Sequence, residues 1–417
     1  MHVGTAKVDI TPQGVVELSG FLARTQPSTG VLDPIFVRAL HLESRGVRLL
    51  WLVAEVLGFE ADFVTRFRRW ASRRLGLPAS HVILSATHTH AAPATMRLIN
   101  AGEYEAAYVE RLYRWMQDAA RAAAERAGAA ELVAGEAACA LGIDRRGKPT
   151  KHTDPRLAAL GWRRADGTWA AVLANYAIHN VALGAVNRKI SGDVTGHAAA
   201  ILEASLPGAP VVLWTIGGSG NVNPPDRDRT QAQVHAFGGR LADAARAALA
   251  AARPPGERLR VRAATMPLPL DVFDAPRIAR HVRGMVAGAG WGSAAVRRRL
   301  IDAVHRWGRG MTRLVRQGRP PRRTVRIAAV AFGDLWFAGL SAEVFSRMAE
   351  RLRELTGQTV YVAGYTGGVF GYLPTAEAMA EGGYEPDQSF IFYNSMPVKA
   401  DAFERIARRA ARLVGGP

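Results

Sequence analysis

The sequence predicts an α/β fold in which mixed β-sheets are flanked by helices, in a layered αββα-like arrangement. Three observations predict it. Strand-like apolar runs alternate with helical ones through most of the chain. The composition, 48% hydrophobic against 22% charged over 417 residues, suits a large buried core and excludes disordered and low-complexity classes. No segment approaches the roughly 20 uninterrupted apolar residues that a membrane-spanning helix requires.

Residues 36–42 and 47–56 read as neighbouring strands, and 61–75 as an amphipathic helix with Phe63, Phe67 and Trp70 on one side. Residues 82–86 read as a short buried strand, and 103–127 as a long helix turning Tyr108, Leu112 and Trp115 inward. Further strands are expected at 170–178, 210–216, 259–265, 325–332 and 359–363, with helices at 197–204, 231–252 and 343–355. No internal repeat and no inter-domain linker is visible, so the expectation is one domain, 1–417, with a basic helical excursion at 276–326. That segment carries Arg297-Arg298-Arg299, Arg322-Arg323, Trp291 and Trp307. It reads as solvated helices covering a sheet edge, in preference to a weak membrane-surface contact.

Lys+Arg 54 against Asp+Glu 36 gives a formal charge of +18, almost wholly from arginine, and reads as a compositional bias spread over every surface. Cys139 is the only cysteine, so neither an intrachain disulfide nor a multi-cysteine metal site can form within one chain. With no basic head and apolar core of a secretion signal at the N-terminus, the expected compartment is the cytoplasm.

Several polar groups stand at the ends of these strands. Thr87-His88-Thr89-His90 follows the strand at 82–86. In extended backbone, residues two apart face the same side, so both imidazoles are expected to point together, a geometry suited to zinc. His179 ends another apolar run, and Asp193 in Ser191-Gly192-Asp193 either orients a ligating imidazole or caps the next helix. The run from Gly217 to Pro225 offers backbone N–H groups to an anion, without the Gly-Lys-Ser/Thr ending of a nucleotide loop. Glu343 opens a predicted helix, where a carboxylate complements the dipole. Glycines and tyrosines crowd residues 364–375 and 382–385. Together these are the parts of a site built at one end of a sheet.

The ordered set Val3 to Pro12, Thr87-His88-Thr89-His90, Asn175-Tyr176-Ala177-Ile178-His179 with Ser191-Gly192-Asp193, and Gly371-Tyr372-Leu373-Pro374-Thr375 with Tyr384-Glu385 resembles the catalytic domain of the neutral ceramidase family, zinc-dependent amidases. The resemblance implies one zinc ion per chain surrounded by His88, His179, Glu343 and Tyr372, with His90 facing the substrate. It places Arg145, with Arg146 as the fallback, and Tyr384, 12 residues beyond Tyr372, in the active site. Asn223 stands where the family has a serine. Because an amide cannot act as that nucleophile, the expected attacking group is a water activated by the metal, with Asn223 orienting substrate or stabilising charge.

The family's C-terminal immunoglobulin-like domain and secretion signal have no counterpart here, so a short intracellular relative acting on a small or lipid-like N-acyl compound, rather than ceramide itself, is expected. Two other functions fit the same residues: a zinc-dependent esterase or lactonase, and a non-catalytic protein holding acidic lipid or nucleic acid through 276–326. No helix-turn-helix, zinc-finger or aromatic RNA-binding signature supports a specific nucleic-acid partner.

Overall fold

The computed structural model describes residues 1–147, 151–225, 230–290 and 292–415. Helices-on-sheet packing is observed, and it is built from one topological unit used three times. Each unit runs strand, strand, strand, helix, strand, helix. The first comprises His2–Asp9, Phe36–Ser44, Val47–Ala54, Ala61–Leu75, Val82–Ala86 and Ala106–Glu125. The second comprises Glu131–Ala138, Arg156–Arg163, Trp169–Tyr176, Asp193–Ser205, Val211–Ile216 and Gln231–Ala250. The third comprises Leu259–Pro267, Thr324–Phe332, Leu335–Leu340, Arg347–Thr356, Thr359–Ala363 and Ala402–Gly415.

In every unit the first three strands pair antiparallel, and the fourth returns parallel to the third through the intervening helix. This repeat is absent from the sequence because the units share a burial pattern and connection order, not residue identities. Its consequence is geometric: the parallel pair of each sheet ends at the same edge, which is where ligand sites of α/β sheets form.

The inner faces of the three sheets meet in a common core that includes Trp51, Ile83, Leu160, Leu213, Val330 and Phe337. Helices cover the outer faces, with Phe67 and Leu112 packing outside the first sheet and Leu352 and Ile406 outside the third. Packing is close enough to require glycine at matching places in two units. A Cβ on Gly4 would lie 1.9 Å from the Ala123 carbonyl oxygen, and one on Gly135 would lie 1.9 Å from that of Ala248.

The helix Ala61–Leu75 and the strands Val82–Ala86 and Thr359–Ala363 form where the sequence places them. The helix expected from residue 343 begins at Arg347, because Glu343–Val344 instead pairs parallel with Tyr372–Leu373. Residues 276–326 form two helices, Ala275–Ala287 and Ala294–Arg316, as expected. Trp307 is buried with its Nε1–H donating to the Ser395 carbonyl, so it is a core residue; Trp291 lies outside the described residues. Among the described residues no helix is long and apolar enough to cross a membrane.

Candidate metal centre and active site

Each sheet delivers one potential ligand just beyond a strand of its parallel pair: His88 after Val82–Ala86, His179 after Trp169–Tyr176 and Glu343 after Leu335–Leu340. Residues far apart in the chain thus converge. The His88 Nε2 lies 3.2 Å from both the His90 Nε2 and Glu343 Oε2, and the His179 Nε2 lies 3.0 Å from the same Glu343 oxygen. All four side chains except the partly exposed His90 are buried. The two imidazoles of His88 and His90 do not converge through strand alternation. His88 has φ +58°, a left-handed conformation uncommon outside glycine, and its N–H is tied to the Val56 carbonyl at 3.0 Å. Backbone held in such regions clusters at functional sites.

Proton positions decide what this cluster is for. The His88 Nδ1 donates to the Leu57 carbonyl at 2.7 Å, and the His179 Nδ1 to the Ser219 carbonyl at 2.6 Å. A carbonyl only accepts, so each ring carries a proton on its outward nitrogen and, in the neutral form, aims an Nε2 lone pair at the carboxylate. Lone pairs facing a carboxylate at about 3 Å repel unless a cation sits among them. The donor set therefore fits a divalent metal, and the backbone carbonyls fix the tautomers as outer-shell partners do at metal histidines. Asp193, considered for that task, does not touch either ring; its carboxylate accepts the N–H groups of Ala182, Leu183 and Val194.

Burial drives the His179 pKa down to about 4, with Arg145 and His88 adding to the fall against the hydrogen-bonded Glu343, and drives that of His90 well below its ordinary value. Burial opposes the charge of Glu343, yet positive charge at His88 and His179 holds its carboxyl well below the usual range, a charge that a bound cation would supply in their place when both rings are neutral. These are the ligand forms, neutral imidazole and ionised carboxylate. The unfolded chain binds a proton at His179 near pH 6.5 and the folded chain only near 4. Stability of chelator-treated protein is therefore expected to fall as pH drops through that window, by on the order of 3 kcal/mol from this residue. Thermal melts of wild type and His179→Gln across the window test it; identical pH slopes would contradict it.

The glycine-rich run 217–225 is not an anion cradle. It packs against the strand bearing Glu343: the Gly220 N–H donates to the Val344 carbonyl at 2.8 Å, and a Cβ there would lie 2.6 Å from the Glu343 carbonyl oxygen. Arg145 follows the two-residue strand Ile143–Asp144, paired with Val222–Asn223. The Tyr176 hydroxyl anchors the approach by accepting from the N–H groups of Leu141 and Gly142 and donating to the Cys139 carbonyl. The guanidinium donates to Glu385 at 3.0 Å, the Gly220 carbonyl at 2.8 Å, the Tyr372 hydroxyl at 3.1 Å and Asn223 Oδ1 at 3.4 Å. Burial works against its charge, but Tyr372 and Glu385 outweigh it and keep it protonated. Arg146 is the more enclosed of the two, held by Glu385 and by the carbonyls of Ala378 and Gly382.

Tyr372 stands opposite Glu343 in parallel register, and Tyr384 sits edge-on to it with ring centroids 5.7 Å apart. All eight residues singled out from the sequence, His88, His90, Arg145, Asn223, Glu343, Tyr372 and Tyr384 directly and His179 behind them, meet at one cavity of about 600 Å³. Its remaining wall is largely apolar, including Phe21, Leu22, Leu57, Leu98 and Phe392.

One tyrosine lies outside every sequence motif, and another, Tyr365, is flagged there only as part of the crowded run 364–375 and with no role. Tyr393 donates from its hydroxyl to Glu343 Oε1, and nothing in its spacing announces that. Tyr365 stacks on His88 at 4.0 Å and hydrogen-bonds the Ser219 hydroxyl at 2.9 Å. It lies two residues past its strand, as His88 does in the first unit, a signal legible only once the repeat is seen. A second group, Asp33, His197 and His235, also has ligand atoms in mutual reach. There the rings of His197 and His235 stack at 3.7 Å and 2°. Parallel rings do not aim their lone pairs at one point, so the cavity cluster is the better cation site.

No protein-family model matches the sequence, and no curated protein matches it. Solved structures do match in fold, among them two ceramidase structures. One is neutral ceramidase from Pseudomonas aeruginosa, 16% identical, with a TM-score of 0.77 over 99% of this chain and 74% of that one. The other, described as a ceramidase complexed with C2, gives the same identity, TM-score and coverage. Along nearly its whole described length, this chain has the fold of a bacterial neutral ceramidase.

Proposed function

We propose that this protein is a zinc-dependent hydrolase that cleaves the carboxamide bond of a small or lipid-like N-acyl substrate. The observation that carries the reading is the proton-poor set of His88, His179 and Glu343 beside His90, at a cavity whose other wall is apolar. The fold shared with neutral ceramidase supports an amide as the bond cleaved. His88, His179 and Glu343, with Tyr372 beside them, would hold the ion. Zinc bound there would supply an activated water and Lewis-acid polarisation of the acyl oxygen.

The remaining steps fall to the chain's own groups. His90, kept neutral by burial, is in the form that takes up a proton and can pass it to the leaving amine. Arg145 is held rigidly by four partners and presents fixed positive charge where the acyl oxygen becomes negative. Tyr384, 42% exposed at the cavity edge, can donate to the same oxygen, and Asn223 orients the substrate carbonyl. The apolar wall receives the acyl chain. The test is hydrolysis of a matched N-acyl amide and ester series by zinc-loaded and chelator-treated protein. Zinc-dependent turnover of the amides is expected; ester turnover alone would move the reading to an esterase, and undiminished turnover after chelation would remove the metal from it.

A further inference from the structure

The positive charge is not spread over every surface. Fourteen arginines and one carboxylate, Asp302, fall within residues 276–326, so these 51 residues carry thirteen of the eighteen net charges. The structure places ten of these arginines and Asp302 on the helical hairpin of Ala275–Ala287 and Ala294–Arg316, three more in the turn beyond it, and Arg326 in the strand Thr324–Phe332. Arg280, Arg283, Arg309, Arg313 and Arg316 are exposed, and among the described residues no carboxylate pairs with them. Like charges gathered this densely repel one another and oppose folding, so a bare hairpin is a cost that an anionic partner would relieve.

The hairpin also has an apolar side. An open groove of about 660 Å³ runs between its helices, with Ile278 and Val282 in its floor and Arg283, Arg309, Arg313 and Arg316 at its edges. Arginines bordering aliphatic side chains suit a lipid interface, where headgroup phosphates meet acyl chains. A single-stranded nucleic acid would instead want exposed aromatic rings to stack on, and among the described residues of the hairpin the one tryptophan, Trp307, is buried.

Its position ties it to the cavity. The Asn100 amide donates to the Arg299 carbonyl at 2.9 Å, while Arg299 and Arg306 donate back to Asn100 at 2.7 and 2.9 Å. Leu98 and Ala101, on either side of Asn100, line the cavity. Trp307 packs on Phe390 at 5.5 Å, two residues from the cavity-lining Phe392.

We propose that this arginine-rich hairpin docks the protein on an anionic lipid bilayer, next to the wall of the catalytic cavity. The proposal rests on the hydrolase reading only for what is then done there: it makes the substrate an N-acyl lipid taken from an anionic membrane. The test is co-sedimentation of the full chain with phosphatidylcholine vesicles, with and without phosphatidylglycerol, at low and moderate salt. Wild type is expected to bind the anionic vesicles selectively and to be released by salt. The variant Arg309→Glu/Arg313→Glu/Arg316→Glu is expected to bind them about 100-fold more weakly with a melting temperature no lower than that of wild type.

Equal binding to neutral vesicles, full binding by the variant, or preference for RNA over anionic vesicles at equal phosphate would overturn it. Turnover of a soluble N-acyl amide separates the two claims. Vesicle binding without turnover leaves docking standing and removes the hydrolase; turnover without vesicle binding does the reverse.

Discussion

Replacing His179 by alanine is expected to weaken zinc retention at least 100-fold and to lower amide hydrolysis by roughly 1,000-fold, about 4 kcal/mol of transition-state stabilisation. The size follows from where the ring sits. It is fully buried, its Nδ1 is committed to the Ser219 carbonyl, and its Nε2 is aimed at Glu343. Alanine leaves a buried carboxylate with one fewer partner and a pocket that water can enter. Metal analysis after dialysis, with kcat and KM on one amide, measures both effects. Tyr365→Phe is the instructive comparison, since it removes the hydroxyl that braces Ser219 and lies 3.5 Å from the His179 Nε2, and keeps the ring stacked on His88. A smaller loss, about 10- to 100-fold, is expected there.

The second large effect is on stability. Arg38 is 3% exposed and bridges two carboxylates, Glu55, itself 2% exposed, and Glu203 at 2.7 Å. Lys7 approaches Glu203 from the surface, but among the described contacts Glu55 is left with only the Phe36 N–H once the arginine is gone. Arg38→Met is therefore expected to cost about 3–5 kcal/mol, the usual consequence of stranding a buried charge. Adding Glu55→Gln removes that charge and should recover much of the loss. Denaturant unfolding of the single and double variants checks this; a single variant as stable as wild type would show that the network is relaxed by water.

The parts of the fold that were legible are those where one period dominates. Residues 61–75 show a clean helical stripe and 82–86 a short apolar run interrupted only by Ser85, and both elements form over those bounds. Arg156–Arg163 and Glu131–Ala138 were missed because alanine, glycine and terminal charges give them no strand-like alternation, although the former is buried along most of its length. Ala402–Gly415 carries a legible signal of its own, with Phe403, Ile406, Ala407, Ala410 and Val414 recurring at helical spacing.

The site was legible where residue chemistry is unusual: two histidines after one strand and a third after another. It was illegible where a common residue acts through position alone, as Tyr393 does on Glu343. The basic character of 276–326 was legible in the sequence, but not that ten of its arginines against the single carboxylate Asp302 stand on one helical hairpin.

The central claim is that side chains from three sheets share one cation. Zinc-edge X-ray absorption on protein loaded with one equivalent of zinc, in a His235→Ala background that disables the stacked pair, tests it most directly. The spectrum should show at least two imidazole nitrogens at about 2.0–2.1 Å and a carboxylate oxygen at about 2.0–2.2 Å, all lost on adding His179→Ala. A spectrum of water oxygens only, or one unchanged by His179→Ala, would contradict it.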